Sequence, residues 1–85
     1  MTREARAERT ANLLIARLEA VARTASQLPH ADAVRLVELA SVATTRAVAL
    51  DLLCADRADA IWQDAFERHP TLPTVTLEPP ARLAA

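Results

Sequence analysis

Ala7, Ala11, Leu14, Leu18, Val21, Ala25 and Leu28 follow one another at alternating steps of four and three residues. That spacing keeps one stripe of a helix turned toward a neighbour. It predicts a first helix over about 2–27, with Thr2 placed to cap it and no Gly or Pro to interrupt it before Pro29. Leu28-Pro29 closes the helix, because the residue before a proline avoids the α region. Proline suits the first turn of a following helix, and Asp32 then falls in the positive first turn, where the helix dipole favours a carboxylate.

The second run, from about 29 to 69, keeps its apolar phase throughout. At about 100° per residue, Leu36, Ala40, Ala43, Ala47 and Cys54 share a sector with Ala58, Ile61, Trp62 and Ala65. Asp56 is placed to start a separate last helix, but a break would not need to preserve the phase. One helix of roughly 40 residues and about 60 Å is therefore expected, against about 40 Å for the first. Val34, Leu39, Val42, Leu50, Leu52 and Leu53 lie outside the main sector, so this helix expects neighbours on several sides. Trp62 and Phe66 overhang the first helix. The expected fold is all-α: a long helical hairpin whose uncovered surface is met by a second copy, giving a two-fold four-helix bundle. Residues 1–69 would form the hairpin domain. The remaining 70–85 form a Pro-rich arm, extended or disordered, in which Thr74 to Leu77 alternates as a short strand would.

Composition narrows the functional classes. The 85-residue chain carries a net charge of −1, which gives no electrostatic case for a nucleic acid or membrane partner. Residues 2–28 hold five arginines and three glutamates, while 29–69 hold four arginines and seven acids, an asymmetry that favours antiparallel packing of the two halves. Arginine without lysine, beside abundant alanine, reads as GC-rich coding and points to a bacterial source. The start of the chain alternates charge and lacks an apolar core, and no apolar run approaches the roughly 18 residues of a membrane span, so the expected location is the cytoplasm. Cys54 is the one cysteine, which excludes an internal disulfide.

Chemistry is sparse. His30 and His69 would stand about 60 Å apart on a straight second helix, so a Cys54 nucleophile has at most one of them within a chain. Cys54 itself reads as a small buried hydrophobe. No phosphate loop, paired histidines or acidic metal cluster appears, and no catalytic, cofactor-binding or metal-ligating residue is expected. Arg35, Arg46, Arg57 and Arg68 recur every 11 residues, as a row tracking a phosphate backbone would, but neighbouring acids largely cancel them. Asp51 projects into the apolar sector, where a carboxylate must be paired or wet. Its two readings are a register-setting ion pair, with Arg17 or with a second chain, and a partly solvated face.

These patterns lead to a non-enzymatic protein–protein interaction module: a small adaptor, assembly factor or regulatory subunit. Partner contact would fall to Trp62, Phe66, Leu72, Val75 and Leu77, although Trp62 could equally be covered by its own tail or a symmetry mate. Leu14, Leu18, Val21 and Asp51 would set register and the homodimer contact. The competing reading is a DNA-associated regulator or an antitoxin of a toxin–antitoxin pair, with Arg3, Arg6 and Arg9 on phosphate and the tail on the toxin.

Overall fold

The computed structural model describes residues 2–73, which form three helices: α1 (Arg3–Ala25), α2 (His30–Ala49) and α3 (Ala55–Arg68). The single long second helix is thus corrected to two. The first helix starts as its sequence dictates. Thr2 has extended backbone angles and its Oγ1 accepts the Ala5 N–H at 3.0 Å, satisfying one of the unpaired donors of the first turn. At the other end the Leu28 N–H reaches the Ala25 carbonyl in a tightened last turn, and Pro29 enters α2 as its N-cap residue with Asp32 one turn in.

The break after α2 is a complete helix-ending motif. The Leu52 N–H donates to the Ala47 carbonyl at 2.9 Å and the Asp51 N–H to the Val48 carbonyl at 3.0 Å, the two crossed bonds of a Schellman turn. Closing it requires a residue with positive φ, and Asp51 takes that place at φ 60°. Glycine is the usual occupant, but this chain has none. Aspartate is among the few other residues that accept the left-handed region, since its short side chain bonds locally. Asp51 is therefore exposed in a loop and pairs with Arg3 across the bundle end, not with Arg17 in a buried seam. Both side chains are mostly in water, so the pair adds little to stability. Asp51→Gly is expected to change unfolding free energy by less than about 0.5 kcal/mol, whereas Asp51→Val, β-branched and forced to positive φ, should cost about 1–2 kcal/mol. Equilibrium urea unfolding of the two variants checks this.

The turn sends α3 back along α1, so that α1 packs against both other helices more extensively than they pack against each other. Ala11, Leu14, Leu18, Val21, Ala22 and Ala25 of α1 meet Ala33, Val37 and Ala40 of α2 and Ala58, Ile61, Trp62 and Ala65 of α3 in one core. Of the apolar sector expected for this stretch of α2, only Ala40 is buried: the helix turns Ala33, Val37, Ala40 and Thr44 to the core, leaves Leu36, Ala43 and Ala47 half-buried, and Cys54 beyond it is exposed, so the phase shared with α3 does not mark one continuous buried face. Leu18 and Val37 are completely enclosed. Ala7 and Leu28, the ends of the α1 stripe, lie at the rim, and Leu28 is exposed.

Trp62 is the largest side chain in this core, and only 2% of it meets solvent. Its indole N–H donates to Thr44 Oγ1 at 3.0 Å, and the Thr44 hydroxyl donates to the Ala40 carbonyl one turn back at 2.9 Å. Every polar atom of that contact is satisfied, as a buried indole requires. Phe66 leans on the Trp62 ring with centroids 5.7 Å apart and planes inclined at 42°. Beyond α3 the Leu72 N–H bonds to the His69 carbonyl and the Leu72 side chain is buried in the core. The overhang that called for a second chain is thereby covered by α1 and α2 of the same one.

Candidate interaction surface

Charge on α1 is sorted by face. In helical projection Glu4, Glu8 and Glu19 lie on the flank turned to α3, while Arg6 and Arg17 lie on the opposite flank, beside α2. Glu8 and Glu19 are used. Arg57 stands 3.4 Å from Glu8 and Arg68 2.5 Å from Glu19, so that two pairs in the same register, 49 residues apart in each case, ladder α1 to α3. Glu19 Oε1 is shut off from solvent and makes no well-directed hydrogen bond, so its charge is met by the Arg68 guanidinium alone. Its other oxygen lies 3.1 Å from His69 Nε2, and Asp64 holds Arg68 from the preceding turn at 2.8 Å. Of the ion pairs between the halves, Arg3–Asp51 follows the expected charge asymmetry, while the α1–α3 ladder runs in the reverse sense: acids of the first helix meet arginines of the last.

The four-arginine row does not exist. The break leaves Arg35 and Arg46 on α2 and puts Arg57 and Arg68 on α3, where they face α1. Cys54, expected to be buried, is exposed as the N-cap residue of α3. His69 closes the same 14-residue helix at its far end, about 20 Å away, too distant to serve as its base. Among the described residues no group of three or more His, Cys, Asp and Glu is close enough to hold a metal ion. No helix of the described residues is long and apolar enough to cross a membrane.

The residues expected to meet a partner are distributed differently from that expectation. Trp62 and Leu72 are core residues, Phe66 is half-buried against them, and Val75 and Leu77 lie outside the described residues. Leu14, Leu18 and Val21 pack within the chain.

What remains unpartnered is the outer face of the α1–α2 pair. Leu13, Leu39, Val42 and Leu50 are each 60% to 63% exposed. Between the two helices runs a groove of about 150 Å³ lined by Thr10, Leu13, Arg17, Ala43, Ala47 and Leu53. Ala43 and Ala47 make it, because a methyl group at each leaves α2 without bulk where its neighbours Leu39 and Leu50 project. Sequence reasoning had these leucines as surplus apolar positions of a long helix but did not place them together with Leu13. The signal was the spacing of Leu39 and Leu50, three full turns apart on one side of α2. Comparison with protein-family models, with curated proteins and with solved structures found no match to the chain.

Proposed function

We propose that this chain is a non-enzymatic protein–protein interaction module, a small adaptor, assembly factor or regulatory subunit, that receives its partner on the α1–α2 face. One observation carries the reading. The core is complete within the chain, down to the indole N–H of Trp62, yet three leucines, Leu13, Leu39 and Leu50, stand in solvent beside the α1–α2 groove. A small domain has little apolar surface to spare, and a contiguous exposed patch beside a groove is where association pays off in buried area.

A photo-crosslinking amino acid at position 39, introduced in the native cells, is expected to join the chain to a discrete protein. The same residue at position 67, on the exposed side of α3, should not. Equal labelling from both positions, or none from position 39, would overturn the proposal.

A further inference from the structure

We infer that the occupant of the α1–α2 groove is an acidic amphipathic helix of another protein, lying along it as the fourth helix of a bundle. This rests on the reading of that face as the docking surface. The shape is that of a helix seat: two packed helices, small residues on the floor at Ala43 and Ala47, Leu13 on the α1 wall, and Leu39 and Leu50 projecting from α2 one turn to either side of that floor. Leu39 and Leu50 are 11 residues apart, about 16 Å, so a partner helix with apolar residues at i, i+4, i+7 and i+11 matches them.

The charge selects the partner. Arg6 and Arg17 on α1 and Arg46 on α2 border the face; all three are exposed, and among the described residues none has an ion-pair partner. The acids of α1 lie on the other flank, where Glu8 and Glu19 are engaged; on α2, Asp32 projects to this side at the far end, Glu38 lies at its outer edge, and Asp51 at the near end is held by Arg3. Acidic residues flanking the leucines of an incoming helix would meet these guanidinium groups, which suit carboxylates by geometry as well as charge. A second copy in two-fold pairing would set the same three arginines against each other. A phosphate backbone would leave exposed leucines against a charged strand with nothing to bury them, and a lipid surface is flat where this face is grooved. The described face also lacks the Trp, Tyr and Lys that anchor a helix in a membrane interface.

The test uses the full chain and a panel of fluorescein-labelled peptides of about 18 residues, with leucine at i, i+4, i+7 and i+11 and glutamate flanking them. Matched peptides carry lysine for every glutamate. Fluorescence anisotropy is expected to show the best acidic peptide binding at least about tenfold more tightly than its lysine counterpart, weakening as salt rises. Arg17→Glu and Arg46→Glu should each loosen it severalfold, and Leu39→Asp should abolish it, with thermal melts unchanged in all three. Lysine peptides binding as well as acidic ones, or acidic binding that survives these substitutions, overturns the inference. So do binding of phosphatidylserine vesicles or of a duplex oligonucleotide, or self-association, if it is abolished by Leu39→Asp where the acidic peptides fail; those outcomes would keep the docking face and change its occupant. If no probe binds and position 39 also fails to cross-link, the docking face falls with the inference.

Discussion

Trp62→Ala is expected to remove a large share of the chain's stability. Removing a buried indole costs about 3–5 kcal/mol in lost burial and residual cavity. A domain of this size holds only about 4–13 kcal/mol in total. The core is rich in alanine, whose methyl group has no length to move into the space, which limits collapse: Ala40, Ala58 and Ala65 belong to the same cluster. The substitution also strips Thr44 Oγ1 of the donor it accepts from, although its own bond to the Ala40 carbonyl survives. Trp62→Phe separates the two effects. It keeps most of the buried area and loses the hydrogen bond, and should cost about 1–2 kcal/mol. Thr44→Val, which leaves the indole N–H buried and unpaired, should cost about 1–3 kcal/mol by the same reasoning. Urea unfolding followed by far-ultraviolet circular dichroism orders the three. A Trp62→Ala protein as stable as the parent would mean that Trp62 is not the centre of the core.

Leu18→Ala should destabilise by about 2–5 kcal/mol, while Leu13→Ala, five residues away on the same helix, should stay within about 0.5 kcal/mol. The contrast follows from position alone. Leu18 is completely enclosed at the middle of α1, whereas Leu13 is 63% exposed on the groove wall. Truncating the first opens a cavity against α2 and α3; truncating the second removes surface already in water. Affinity should show the opposite order when measured at a temperature where both are folded, since Leu13 lines the groove and Leu18 does not touch it. Equal destabilisation by both would mean that the α1–α2 face is packed against something within the chain.

The α1 stripe was legible because a period of three and four residues survives any packing arrangement: whichever helix lies beside α1, Ala11, Leu14, Leu18, Val21 and Ala25 turn toward it together. The corner at Pro29 was legible for a steric reason that needs no tertiary context. The break at Asp51 was not. Its usual marker is glycine, and the aspartate that replaces it also reads as an ordinary helix-surface residue. Continuity of the apolar phase across the break pointed the wrong way, since a phase shared in projection does not mark one continuous buried face. The Glu8–Arg57 and Glu19–Arg68 ladder could have corrected this. Both residues of each type are 11 apart, a match that makes sense only if the end of the chain runs parallel to its start.

From the sequence alone came the helical character of the chain, the core stripe of α1 and the first corner. Each is local, set by spacing, capping and residue type. The tertiary structure decided that the second half folds twice, that Trp62 is spent inside and that Leu13, Leu39 and Leu50 stand together outside. Those outcomes depend on where α3 lands, and a single left-handed residue sets that direction. By returning α3 to the glutamate flank of α1, the Asp51 turn covers one side of the α1–α2 pair and leaves the arginine-bordered side open.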